Sequence, residues 1–216
     1  THLACLALSL VCAGLCPERS AAGSPCPPLP GALKLSSGTA HDPQAPAVTW
    51  SGSSQVTYGV KLNRDISPLV KDPIAFRTVI DILEAHLKTR YPQIDFIAGL
   101  DSRGFLFGPV LAQRLGIGCV LIRKKGKLPG PTESVSYALE YGQAELEIQS
   151  DALESGEKVV LVDDLLATGG TMCAACELMK KLKAEVLECV VVIELKSLKG
   201  AEKLKPFPVY SLLQYD

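Results

Sequence analysis

Charge is almost missing from the first quarter of this chain. Residues 1–57 carry only four charged side chains, Glu18, Arg19, Lys34 and Asp42, while the other 159 residues carry 41 of the 45. Histidine is scarce as well, at three among 216 residues. His2 and His41 fall in the charge-poor segment, and His86 sits late in a predicted helix, where it reads as a surface residue rather than a base. HExxH zinc chemistry is thereby excluded. Neither GxxxxGK[ST] nor GxGxxG occurs, which removes a P-loop and a dinucleotide fingerprint. A GxSxG nucleophile elbow is absent too. No apolar run reaches the ~18 residues of a membrane span, so no membrane partner is expected. A net charge of −1 argues against electrostatic binding of nucleic acid.

What is present divides near residue 57. The overall 47% apolar and 21% charged content is that of a globular protein, and the length suffices for a real core. Yet seven of the 15 prolines crowd into residues 1–57. Within that segment Leu3–Cys16 has the length of a secretory h-region, which would make the chain secreted. No positively charged region precedes it, so an unstructured or artefactual leader is the preferred reading. Cys5, Cys12, Cys16 and Cys26 lie in the leader at spacings that fit no zinc pattern. Cys119, Cys173, Cys176 and Cys189 sit in apolar strand or helix contexts and read as small hydrophobes. Cys173-x-x-Cys176 lacks the context of a redox pair.

Residues 58–216 read as one α/β domain. Asp72-Pro73 predicts a helix start, Asp as N-cap and Pro in the first helical position. Ile74, Val79, Ile80, Leu83 and Leu87 extend it as an amphipathic helix over 73–88. Ile94–Leu100 reads as a strand ending in the polar turn Asp101-Ser102-Arg103-Gly104. A helix to about Leu115 follows, started late or kinked by Pro109. Ile117–Ile122 is a second buried strand, and residues 123–131 (RKKGKLPGP) form a basic loop. Ala144–Ile148 alternates apolar and acidic residues, as an exposed edge strand would. Lys158–Val162 is a third buried strand running into Asp163-Asp164. Gly169-Gly170 leads into a helix over 172–183, and Val186–Leu195 and Val209–Leu213 are the last strands. This alternation predicts a central, mostly parallel sheet flanked by helices. Ligands of such sheets sit beyond the carboxyl ends of the strands. The turns at 101–104, 123–131 and 163–171 should therefore converge on one site.

The densest chemistry lies in residues 159–171, VVLVDDLLATGGT. A hydrophobic strand delivers two adjacent carboxylates, and a loop of small residues then opens a helix. Backbone N–H groups at a helix N-terminus attract an anion, and glycines let a phosphate come close. Thr168 and Thr171 add hydroxyl donors. The paired acids suit a sugar diol or a Mg²⁺-bound ligand rather than the phosphate itself.

Together with Asp101-Ser102-Arg103-Gly104-Phe105, the basic loop, and Leu139-Glu140-Tyr141-Gly142, this stretch resembles the type I phosphoribosyltransferases, and within them the adenine phosphoribosyltransferase family. The similarity runs from about Arg64 to Asp216, and several long motifs in order are more specific than one short pattern. The resemblance implies the type I phosphoribosyltransferase fold and transfer of the 5-phosphoribosyl group from phosphoribosyl pyrophosphate (PRPP) to adenine, giving AMP and pyrophosphate. It implies that Asp163 and Asp164 hold the ribose hydroxyls and that Ala167, Thr168, Gly169, Gly170 and Thr171 cradle the 5′-phosphate. Asp101, Ser102 and Arg103 would form the pyrophosphate loop, with Arg123, Lys124 and Lys127 contacting pyrophosphate from a closing lid. Glu140 would be the general acid/base beside adenine, with Tyr141 in the same lid. Leu62, Arg64 and Leu195 would surround the base. Mg²⁺ is implied as cofactor, held mainly through PRPP rather than by a protein metal site, and the enzyme is implied to be a cytoplasmic homodimer.

One departure stands out against that family. Asn63 occupies the position where a phenylalanine stacks on the purine, and the leader replaces the hood that covers adenine. Stacking on a base contributes ~1–3 kcal/mol, so adenine affinity is expected to be weaker by roughly tenfold or more. The alternative reading is a PRPP-binding isoform or sensor with impaired catalysis.

Overall fold

The computed structural model describes residues 65–139 and 142–216. The leader, its seam near residue 57, Leu62, Asn63 and Arg64 lie outside them, as do Glu140 and Tyr141. The described chain opens with a short helix, α1 (Ser67–Lys71), and a long one, α2 (Pro73–Arg90). The start of α2 is as the sequence predicts: Asp72 accepts from the backbone N–H groups of Ile74 and Ala75 at 2.9 and 3.1 Å, with Pro73 leading the first turn. The buried stripe is Ala75, Val79, Ile80, Leu83 and Leu87. Ile74, expected on that stripe, is 71% exposed. Helical residues advance by about 100°, which sets Ile74 nearly opposite the middle of the stripe.

Next come β1 (Phe96–Leu100), α3 (Gly104–Leu115), β2 (Gly118–Lys124), β3 (Thr132–Leu139), β4 (Gly142–Gln149) and β5 (Lys158–Leu166). The chain ends with α4 (Gly170–Lys181), β6 (Glu185–Leu195), a 3₁₀ turn (Lys196–Leu198), α5 (Gly200–Lys203) and β7 (Val209–Tyr215). The seven strands form one sheet in the order β3-β4-β2-β1-β5-β6-β7. β2, β1, β5, β6 and β7 run parallel, and the β3–β4 hairpin joins β2 antiparallel. The sheet is mostly parallel, as expected. Side chains alternate between its faces: Ala98, Leu161 and Val191 pack with Ala175 and Leu178 of α4, whereas Ile97, Val160 and Val190 pack with Leu83 of α2 and Phe107 of α3.

Three expectations need correction, the late start of α3, the edge position of β4 and the surface setting of His86, and one strand goes unread. α3 begins at Gly104 with Pro109 inside it. Pro109 forfeits one backbone bond to Phe105, but buried Phe107, Gly108, Leu111 and Ala112 hold the helix to the sheet. β4 is not an edge strand, because β3 pairs along its outer side. The alternation in β4 is real, with Leu146 and Ile148 buried in the core, but of its acids Glu147 is buried and Glu145 only partly exposed. β3 itself goes unread in the sequence because its apolar side, Val135 and Tyr137 among the described side chains, is interleaved with serines and preceded by the Gly/Pro loop. Finally, His86 is no simple surface residue. Its Nε2 lies 2.7 Å from Oε2 of buried Glu188, and its ring stacks on Tyr210 with centroids 3.6 Å apart. Glu188 is 102 residues away along the chain, beyond the reach of local pattern. The cysteines follow expectation: all four described are free, with Cys176 and Cys189 buried.

The stripe on α2 is testable. Leu83→Ala should destabilise the fold by about 2–5 kcal/mol, whereas Ile74→Ala should stay within about 0.5 kcal/mol of wild type, both read from chemical denaturation.

Candidate functional site

A cavity of about 430 Å³ opens where β1, β2 and β5 end. The turn after β1 contributes Asp101, Ser102 and Arg103, and β2 contributes Lys124. The far half of β5 contributes Asp163 and Asp164, and residues 167–172 close the floor at the start of α4. Tyr137 of β3 and Ala144 and Leu146 of β4 form the remaining wall. The turns predicted to converge at 101–104 and 163–171 do so.

The two carboxylates are more deeply embedded than a strand end would make them. β5 continues through Leu166, so Asp163 and Asp164 lie within a paired strand. Asp163 Oδ1 accepts the Asp164 N–H at 2.9 Å. The Asp164 side chain is 2% exposed, and Arg103 Nε lies 3.1 Å from its Oδ2. Among the described residues that oxygen receives no hydrogen bond. Burial pushes the Asp163 carboxyl up to about 7, the Asp164 charge adding to the rise while the Asp164 N–H opposes it. Burial raises Asp164 as well, against the pull of the Arg103 guanidinium.

Glycine governs the floor. Gly169 adopts φ 82° as the N-cap of α4, and no side chain caps that helix. Its first backbone N–H groups are therefore open to an anion in the cavity. A Cβ on Gly169 would stand 2.8 Å from the Gly200 carbonyl oxygen, and one on Gly200 would collide with the Ala167 carbonyl. Gly200, the first residue of α5, thus buttresses the 167–169 loop. On the opposite wall a Cβ on Gly104 would collide with the Val162 carbonyl and lie 3.3 Å from Asp163 Cα. The start of α3 is pressed onto the acid pair, and the Asp101–Ser102 peptide before it is cis.

The basic loop approaches from β2. Arg123 Nε lies 3.4 Å from Asp101 Oδ2, and the Arg123 guanidinium donates to the Lys127 carbonyl at 3.1 Å. Glu147 of β4 accepts the backbone N–H groups of Lys127 and Leu128, each at 2.8 Å. Lys124 lines the cavity, whereas Arg123 and Lys127 are not among its lining residues. Leu195, at the end of β6, is buried in the core with α2 and α3 and does not line the cavity either. Leu62, Arg64, Glu140 and Tyr141 fall outside the described residues. Sequence reasoning missed Gly200 and Glu147. Gly200 ends a Leu-Lys-Gly run that resembles any turn, and Glu147 belongs to an alternation that reads as solvent-facing.

Residues 66–214 match the family model described as phosphoribosyl transferase domain. The chain is 72% identical over 156 residues to adenine phosphoribosyltransferase of Rattus norvegicus, covering 72% of this chain and 87% of that protein. The enzyme of Mus musculus is 70% identical over the same shares. Among solved structures, adenine phosphoribosyltransferase from Saccharomyces cerevisiae, complexed with an imino-altritol bisphosphate and adenine, superposes with TM-score 0.67 at 48% identity. That match covers 69% of this chain and 85% of the other. The Giardia lamblia structure with 9-deazaadenine gives TM-score 0.66 at 35% identity, over 70% and 86%.

The raised Asp163 carboxyl predicts a pH dependence of stability. Its ordinary value is 3.8 and its folded value about 7, so the fold holds this proton more tightly than the unfolded chain does. The stabilising contribution is complete below about pH 4 and is lost as pH rises through about 7. Between about pH 5 and pH 8 the wild-type Tm should fall further than that of Asp163→Asn, in thermal melts without ligand.

Proposed function

This chain belongs to the phosphoribosyl transferase family, and from that we propose how its cavity carries out transfer of the 5-phosphoribosyl group from PRPP to adenine, giving AMP and pyrophosphate. It is a glycosyltransferase of the pentosyl class, an enzyme of purine salvage and AMP biosynthesis. The observation that carries the assignment of roles is the meeting of an acid pair, Asp164 buried and Asp163 partly so, with an uncapped helix N-terminus in one cavity.

Asp163 and Asp164 hold the ribose hydroxyls, whose O–H groups supply the donor that Asp164 Oδ2 lacks among the described residues. Ala167, Thr168, Gly169, Gly170 and Thr171 receive the 5′-phosphate on backbone N–H groups and hydroxyls. Asp101, Ser102 and Arg103 shape the pyrophosphate end, and Arg123, Lys124 and Lys127 place positive charge beside the leaving group. That charge matters because breaking the bond at C1 leaves the sugar cationic and the pyrophosphate more anionic. Glu140 manages the proton of the attacking purine, and Tyr141 closes with it to exclude water. Leu62 and Arg64 surround the base, whereas Leu195 is buried in the core at the end of β6.

The donors present fit Mg²⁺, which is bound by one or two carboxylates together with substrate phosphates. No three His, Cys, Asp or Glu side chains gather into a metal site among the described residues, so Mg²⁺ would be held mainly by the oxygens of PRPP, with Asp101 at the pyrophosphate end as the neighbouring carboxylate. Carried in with PRPP, Mg²⁺ would supply charge neutralisation at the leaving group.

The same reading gives a cytoplasmic homodimer. No helix among the described residues is long and apolar enough to cross a membrane. Leu106 and Val110, one turn apart on α3, and Leu121 on β2 remain exposed and offer apolar surface to a second copy. Sedimentation measures the mass directly.

The deciding assay is pyrophosphate release from PRPP with Mg²⁺, with and without adenine. Adenine-dependent release is expected, lost in Glu140→Ala by at least 10²-fold. PRPP binding without release would instead mark the chain as a catalytically impaired isoform or sensor. Gly200→Ala, which crowds the 167–169 loop, should weaken AMP and PRPP alike by roughly tenfold in calorimetry, since both carry the 5′-phosphate.

A further inference from the structure

Buried carboxylates persist in proteins when hydrogen bonds or cations compensate their lost hydration. Glu147 is 3% exposed, yet no lysine or arginine forms an ion pair with it among the described residues. Its compensation comes from backbone. One oxygen accepts two consecutive amides, Lys127 N–H and Leu128 N–H, both at 2.8 Å, and the other accepts the Thr132 hydroxyl at 3.3 Å. Burial alone would raise this carboxyl. The Leu128, Gly126 and Lys127 amides with the Thr132 hydroxyl outweigh it and hold Glu147 below its ordinary value.

Register explains how the contact arises. Glu147 pairs directly with Arg123 of β2 and with Ser134 of β3, so it shares the side of the sheet on which Arg123 stands. Arg123 donates to the Lys127 carbonyl, while Glu147 takes the Lys127 N–H. The backbone of Lys127 is therefore held at both its N–H and its C=O. Gly126, with φ 80°, supplies the left-handed step that turns the chain over the strand, and the Lys127 side chain itself stays exposed.

We propose that Glu147 is a positioning residue for the reaction: it anchors the 125–131 loop from beneath, so that Arg123 and Lys127 are pre-set to meet pyrophosphate. The proposal rests on the PRPP reading of the site. Glu147 touches neither substrate nor reacting atoms; it acts through the loop backbone, and preorganisation of that loop lowers the ordering cost at binding.

The experiment compares Glu147→Ala, Glu147→Asp and Glu147→Gln in the full chain. Gln keeps an acceptor oxygen for both amides, whereas Asp is a methylene too short to reach them. Two quantities are read: amide hydrogen exchange at Lys127 and Leu128 without ligand, and calorimetric affinity for PRPP with Mg²⁺ and, separately, for AMP, which carries no pyrophosphate. Ala and Asp are expected to speed exchange at both amides and weaken PRPP by roughly tenfold, with AMP within about twofold of wild type. Gln is expected to restore both. Unchanged exchange, an equal loss of AMP and PRPP affinity, or failure of Gln to restore PRPP would each overturn the proposal. Should Glu147→Ala not fold, Asp against Gln makes the same comparison. Wild type that binds no PRPP would sink the functional reading and this proposal together. Wild-type binding that the Ala and Asp variants match would overturn this proposal alone.

Discussion

Two adjacent carboxylates are kept inside a paired interior strand, and the rest of the cavity is organised around that constraint. Charged groups resist removal from water, and here both Asp163 and Asp164 are raised by burial. A hydrophobic strand end would ordinarily release such residues into solvent. β5 does not, because its pairing with β6 continues to Leu166 and α3 leans on it at Gly104. The chain thus holds a pair of acids whose compensation is incomplete without hydroxyl donors or a cation. Arg103 offsets part of that deficit from the turn after β1.

Close backbone contact is the second theme. α3 reaches Asp163, and α5 reaches the 167–169 loop, only because Gly104 and Gly200 have no side chain. Both contacts join segments distant in sequence, one at the acid pair and one at the 167–169 loop. Gly169 acts differently, since its left-handed conformation turns the chain from β5 into α4 and leaves the helix N-terminus uncapped. One wall is therefore acidic and the floor is a field of N–H donors, a division that suits a sugar with a phosphate at one end.

The basic side is assembled from β2 and the hairpin. Lys124, Lys125 and Lys127 are exposed, yet the backbone at Lys127 and Leu128 is fixed by buried Glu147 on the neighbouring strand. Ion pairs near the surface contribute little to stability, so the Arg123–Asp101 contact matters more for linking the loop to the turn after β1 than for holding the fold.

The sequence by itself determined the order of the parallel strands and of the three long helices, though not β3, α1 or α5, and the grouping of the 101–104 and 163–171 turns, because period, capping at Asp72-Pro73 and glycine placement are local signals. It also marked the acid pair and the Thr-Gly-Gly-Thr loop, whose residue types announce their chemistry. Only the tertiary structure decided that β4 is interior, that Glu147 is buried beneath the basic loop, that His86 meets Glu188, and that Gly200 carries the floor. Each of these depends on which segments lie side by side. Alternation along one strand states that two faces differ, but what covers a face is settled by segments brought to it from elsewhere in the chain.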